Sequence, residues 1–353
     1  MITIKQILQH SQVPAARLID HLPQFSQRAL VKLLGYPYDY PELDPFTACL
    51  MAIQHKQGRA SFLAQDVSRT RYQYEQKIKL LSIYKTVIRQ IQDLRLPLAS
   101  GTLKARHYHP QPNKKLAMLV FYHGGGFVAG SLDTHDEICR LLAKTMQVQV
   151  LSVQYPLAPE ASPQQVIAAS QQALQWVYEN RRQLNIYKSR IAIAGDSAGA
   201  NICAVVAQRS MQQAYAVKAQ LLIYPCIDFQ YSYPSLQQFA YGLSLTAADV
   251  KGVKQLYAEQ HGMELDDALI SPIYAEPNPS LAASFIVTAG HDVLRDEAEF
   301  YAEKLAAHGC EVHYQTYIEQ AHGFIHLTPI SKQAKKRCLE IAKQFKKFWW
   351  AHA

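Results

Sequence analysis

Residues 190–211 read RIAIAGDSAGANICAVVAQRSM, and the change of pattern within this stretch decides the fold. Arg190-Ile-Ala-Ile-Ala194 is an apolar run of strand length, and the text after Ala200 has the composition and length of a helix. Between them lies Gly195-Asp196-Ser197-Ala198-Gly199, a G-x-S-x-G pattern. A serine held on a sharp strand-to-helix turn projects its hydroxyl out of the sheet, but only where the flanking positions carry no side chain to collide. Ser197 is therefore the candidate nucleophile. The alternative, a glycine turn carrying an incidental serine, does not call for the strand before it and the helix after it.

Working outward, the same strand–helix alternation runs through residues 88–353. Strands are predicted at 116–122, 148–155, 190–194, 219–224, 285–289 and 311–318. Helices are predicted at 133–146 with Asp133 as N-cap, and at 163–180, 197–211, 296–308 and 332–348. Apolar strands without strict alternation, separated by helices, indicate an α/β fold whose parallel sheet is covered on both faces. Residues 88–96 and 103–109 interleave polar and apolar positions and read as an antiparallel edge hairpin. His107 and His109 alternate on one strand face there, as solvated histidines. Two stretches fall outside the rhythm. Residues 1–87 are mainly helical, with Leu18, Leu22, Leu30 and Leu34 at helical spacing, and residues 226–275 are rich in Tyr, Gln and Pro with a helix near 247–261. At 353 residues the chain exceeds the usual size of a single core, so these stretches are expected to form a lid over one edge of the sheet.

A second glycine cluster follows the 116–122 strand: His123-Gly124-Gly125-Gly126. Consecutive glycines let backbone N–H groups converge on one point, which is what a developing oxyanion requires. A phosphate-binding loop would continue with Lys and Ser or Thr, whereas Phe127-Val128 follow here. The N–H of Ala198, directly after the nucleophile, would complete the donor set.

An activated serine needs a base and an orienting acid, in the chain order Ser, acid, His for this strand–turn–helix context. His322, just past the 311–318 strand and beside Gly323, is the leading base. His326 shares its loop and stays open as a second choice; His308, His313 and His352 lie in a helix, a strand and the terminus. His322 and His326 also have i,i+4 spacing, but no third metal ligand lies nearby in sequence. Asp292, directly after the strand at 285–289, is the candidate acid, while Asp296 and Glu297 suit the first turn of the next helix.

Taken together, HGGGFVAGS, YPLAPE, GDSAGAN, HDVLRDE and AHGF, in this order, resemble the hormone-sensitive-lipase-like family of α/β-hydrolases, mostly bacterial carboxylesterases. The similarity runs over about 41–350. It implies an α/β-hydrolase fold: an eight-stranded, mostly parallel sheet with helices on both faces and a helical cap. The catalytic domain would comprise 88–225 and 276–353, the cap 41–87 and 226–275, and a helical N-terminal extension 1–40. It implies Ser197, His322 and Asp292 as a triad and an oxyanion hole from Gly124, Gly125, Gly126 and Ala198, with His123 and Glu160 supporting the site from behind. The implied reaction is hydrolysis of short- to medium-chain carboxylic esters through an acyl-enzyme, with no metal or cofactor; a lipase, an amidase or a non-hydrolytic binder would use the same scaffold. Three positions depart from the family pattern. Ala200 replaces a glycine and Pro156 an arginine, so a local ion pair is expected to be missing. Residues 1–40 have no counterpart, leaving open an enlarged cap, a covered cap edge or a homodimer contact.

The chain carries 36 Lys and Arg against 28 Asp and Glu, a net charge of +8. Seven of the basic residues fall at 332–347, interleaved with Ala334, Cys338, Ile341 and Phe345 at helical spacing. This reads as an amphipathic helix with a solvated basic face, so neither nucleic acid nor membrane is the expected partner. The six cysteines include no CxxC pair, and the first eighteen residues lack a signal-peptide pattern. A cytoplasmic protein acting on a small ester is the expectation.

Overall fold

Alternation along one strand organises the protein. In β3 (Leu116–Tyr122), Met118, Val120 and Tyr122 belong to one buried cluster, and Ala117, Leu119 and Phe121 to another on the opposite face. A strand buried on both faces has no polar side, which is why its sequence shows a continuous apolar run. The computed structural model describes residues 14–58, 61–81, 84–99 and 101–353. Its strands are β1 (Gln90–Leu98), β2 (Gly101–His109), β3, β4 (Gln149–Gln154), β5 (Ile186–Asp196), β6 (Ala219–Ile223), β7 (Ala283–His291) and β8 (Val312–Ala321). They form one eight-stranded sheet in the order β1-β2-β4-β3-β5-β6-β7-β8. Pairings of β1 with β2 and of β2 with β4 are antiparallel; the remaining five are parallel.

The helices are α1 (Gln24–Leu33), α2 (Pro45–Lys56), α3 (Val67–Leu81), α4 (Asp136–Met146), α5 (Pro163–Glu179), α6 (Ala198–Ser210), α7 (Pro234–Gln238), α8 (Ala247–Tyr257), α9 (Arg295–Ala307) and α10 (Lys332–His352). One sheet face is covered by α5, α6 and α9 through Val166, Leu174, Ile202, Val205, Tyr301 and Leu305. The other is covered by α4 and α10 through Ile138, Leu142, Ile341, Phe345 and Trp349. The basic residues Lys335, Lys336, Lys343 and Lys347 are exposed on the outer side of α10, opposite that buried stripe. All six cysteines are buried and free. Among the described residues, no helix is long and apolar enough to cross a membrane.

Three local expectations are corrected. Asp133 does not cap α4: the N-cap is His135, and the Asp133 carboxylate accepts a 2.7 Å hydrogen bond from Arg106, which also holds Asp93. β8 continues to Ala321, so His322 sits directly at the strand's carboxyl end. His107 and His109 are not solvated. Both are buried on β2, and His107 Nε2 donates to Gln149 Oε1 at 2.7 Å, since the Gln149 amide N–H group already faces Leu184 O. Interleaved polarity misleads here because β1 and β4 flank β2 on both sides.

Burial, reinforced by His107, pushes His109 down to about 4, and burial also lowers His107. The unfolded chain binds these protons near 6.5, so it carries more protons than the folded chain below that pH. Stability from the neutral pair is complete above about pH 6.5 and is lost as pH falls toward 4, at up to about 1.4 kcal/mol per pH unit for each group. The His107→Gln/His109→Gln variant should show a flatter decline of Tm across that interval; an unchanged slope would place the acid sensitivity elsewhere.

The two stretches outside the α/β rhythm meet each other. The Asp249 carboxylate on α8 accepts from the Leu63 N–H and the Ser61 hydroxyl, at 2.9 and 2.6 Å. Residues of the N-terminal stretch join them: the Tyr36 and Tyr40 hydroxyls donate to the carbonyls of Gly242 and Tyr241. Farther out, Arg17 donates to Pro329 O and Gln27 packs under α2, so residues 14–40 cover the cap edge and the start of α10. Residues 1–13 of the predicted extension lie outside the described residues.

Candidate active site

Ser197 occupies the single residue between β5 and α6, at φ 53° and ψ −120°. A positive φ strains a side chain-bearing residue, and this turn survives because its neighbours are glycines. A Cβ on Gly195 would lie 2.4 Å from the Gly199 carbonyl carbon, and one on Gly199 would lie 2.0 Å from Tyr122 O. Ala200, by contrast, fits its methyl into the buried core, so the departure from glycine is accommodated.

The ends of three strands bring the candidate triad together. His322 Nε2 lies 3.0 Å from Ser197 Oγ, and His322 Nδ1 lies 2.7 Å from Asp292 Oδ2. Asp292 is buried, and its other oxygen accepts the Leu294 N–H at 3.0 Å. A carboxylate accepting from Nδ1–H leaves the Nε2 lone pair facing the serine hydroxyl. The cap touches this loop as well, since the Ser244 hydroxyl donates to His322 O at 2.6 Å. The other candidates go elsewhere. Asp296 accepts from Ser235 N and Arg295, and buried Glu297, pushed well up by burial, accepts from Ile227 N. His326 pairs with the Tyr74 hydroxyl, 3.0 Å away.

The glycine loop divides in two. Gly125 and Gly126, at φ 122° and 60°, turn their backbone in a way open to glycine, and no described residue accepts a hydrogen bond from their N–H groups or from that of Ala198. Gly124 departs from the expectation: its N–H donates to Asp196 Oδ1 at 2.8 Å, so it is not free to meet an oxyanion. Asp196, at the motif's variable position, thus links the glycine loop to the nucleophile turn. Burial opposes its charge, but His135, His326 and the Gly124 N–H outweigh burial and hold its carboxyl down to about 2. His123 is fully buried, stacks on Tyr155 at 4.3 Å and donates through Nδ1 to Gly124 O. Burial and His135 lower its pKa to about 3.

Glu160 does not stand buried behind the triad. Its side chain is 64% exposed and pairs with Arg71 at 2.6 Å. Arg71, on α3, also donates to Val128 O and Ala158 O at 2.7 and 2.9 Å. The ion pair expected to be lost with Pro156 is thus supplied by an arginine from the cap, for which no local spacing gives a signal. At this exposure the pair contributes about 0–1 kcal/mol, and the two carbonyl contacts add about 1–2 kcal/mol. Arg71→Met should therefore lower stability in chemical denaturation more than Glu160→Gln does; equal effects would show the carbonyl contacts to be idle.

Comparison with known proteins bears on the family and the fold. A family model described as alpha/beta hydrolase fold matches residues 119–326. The chain belongs to that family, within its hormone-sensitive-lipase-like branch. It is 37% identical over 243 residues to the carboxylic ester hydrolase LipN of Mycobacterium tuberculosis, covering 67% of this chain and 65% of that protein. It is 37% identical over 257 residues to the esterase LipI of the same organism, covering 71% and 80%. Among solved structures, an esterase of Pyrobaculum calidifontis matches with a TM-score of 0.78 and 32% identity, over 86% of this chain and 98% of that one.

Proposed function

We propose that this protein is a serine carboxylesterase acting on esters of short- to medium-chain acids. The observation that carries the reading is the continuous array Asp292–His322–Ser197, with the amides of Gly125, Gly126 and Ala198 beside the serine. Ser197 Oγ attacks the ester carbonyl while His322 Nε2 takes its proton, and the three amides stabilise the oxyanion. His322 then returns the proton to the departing alcohol, and water, deprotonated by the same imidazole, releases the acid from the acyl-enzyme. Asp292 keeps the imidazole in the required tautomer and stabilises its charged form.

The wall over the oxyanion loop supports a compact acyl site. A Cβ built on Gly126 would lie 2.7 Å from Val253 Cγ2 and 3.3 Å from Phe62 Cε1, so both cap stretches press on this point. A long acyl chain would have to displace them. A series of p-nitrophenyl esters, run below and above substrate solubility, should give the highest kcat/KM for short and medium acyl groups with no rise at the interface. A maximum at long chains, or a jump at the solubility limit, would identify a lipase instead.

A further inference from the structure

We propose that His135, Asp196 and His326 form a buried site for one divalent transition-metal ion, zinc being the best chemical match, directly beneath the nucleophile turn. The three residues come from the loop before α4, the end of β5 and the turn after His322, and each offers a ligand atom within 4.8 Å of the other two. His135 and Asp196 are buried, and His326 is half-buried beside Tyr74. The i,i+4 pair legible in the sequence, His322 and His326, is not the site. His322 turns to the triad, and the partners of His326 come from residues 135 and 196.

Hydrogen bonding around His135 carries the argument. The Thr134 hydroxyl lies 2.9 Å from both Ser131 O and His135 Nδ1, and when its one proton goes to Ser131 O it accepts from His135 Nδ1. With the proton on Nδ1, Nε2 is left as a lone pair. That buried nitrogen has no hydrogen-bond partner, although Asp196 Oδ1 stands 3.1 Å away. In that tautomer two electron-rich atoms face each other in a dry interior, and a positive centre facing both would satisfy them in place of a proton on Nε2. With zinc–nitrogen and zinc–oxygen bonds of about 2.0–2.2 Å, a 3.1 Å ligand separation corresponds to an angle at the metal of about 100°. Two imidazoles and a carboxylate are a usual ligand set for such ions. The supporting contacts are also those of a metal site: Thr134 fixes the His135 tautomer, and Gly124 N–H steadies the carboxylate. A bound ion would tie the glycine loop, the nucleophile turn and the His322 loop to one centre. Its role would be to hold the turn in place, separate from the acyl-transfer steps.

The test uses the untagged full chain, stripped with a chelator and titrated with Zn2+ by calorimetry, with Co2+ absorption as an independent readout. One equivalent of Zn2+ should bind and raise Tm, and Co2+ should give the visible bands of a nitrogen- and oxygen-ligated ion. Affinity should fall roughly 100-fold or more in His326→Leu and in His135→Gln. If the latter fails to fold, His326→Leu decides alone. Absence of stoichiometric uptake by the wild-type chain would overturn the proposal and leave His135 and Asp196 as a hydrogen-bonded pair. Undiminished uptake in His326→Leu would also overturn it, by placing the ion elsewhere.

Discussion

Ser197→Ala is expected to lower kcat for a p-nitrophenyl ester by about 10⁴-fold or more while leaving Tm within a degree or so of wild type. The separation of the two effects follows from where the residue sits. The hydroxyl makes its recorded hydrogen bond to His322 Nε2, whereas the turn is held by backbone: Ser197 N–H donates to Ile223 O at 2.9 Å, and Asn201 N–H to Ser197 O at 3.1 Å. Alanine keeps all of these and tolerates φ 53° as well or as poorly as serine does. Covalent labelling by a fluorophosphonate should vanish in parallel. The wild-type rate should fall on acidification, because the base must be neutral to accept the serine proton. Esterase activity retained by Ser197→Ala would remove the serine from its assigned role.

The next largest effect is expected at Gly125. Its φ of 122° is open to glycine and strained for any other residue, and a Cβ there would stand 2.3 Å from Ala129 O. Gly125→Ala must therefore move the backbone that carries two of the three proposed oxyanion donors. Misplacing such donors costs about 10²–10³ in kcat, with little change in KM because the oxyanion forms after substrate binds. Gly124→Ala provides the contrast. There the added methyl would meet the Asp196 carboxylate at 2.4 Å, so the damage begins in the link between glycine loop and nucleophile turn. A Gly125→Ala enzyme with wild-type kcat would place the oxyanion donors elsewhere.

Much of the site was legible because its chemistry is local. Ser197 needs glycines two residues away on either side, and those glycines are required by backbone clashes that sequence spacing records directly. His322 and Asp292 follow strands, and a parallel sheet delivers the carboxyl ends of its strands to one edge, so alternation alone predicts that they meet. Two stretches that interrupt the βα rhythm were visible too, and they contact each other through Asp249 and residues 61–63.

What stayed hidden depended on long-range partners. Arg71 answers Glu160 from 89 residues away, and Asp196 claims the Gly124 N–H from 72 away. Neither pairing leaves a periodic or motif-level trace, because hydrogen bonding across a fold constrains geometry without constraining spacing. His107 and His109 read as solvated because polarity reports what a residue tolerates, while burial is set by the strands on either side. By itself, then, the sequence determined the alternating architecture, the strained serine turn and the chain order of the three candidate residues. Only the tertiary structure decided which amides remain free, which histidines lose their water and what lies beneath the nucleophile. Those outcomes depend on atoms from distant segments meeting within a few ångströms, which packing alone arranges.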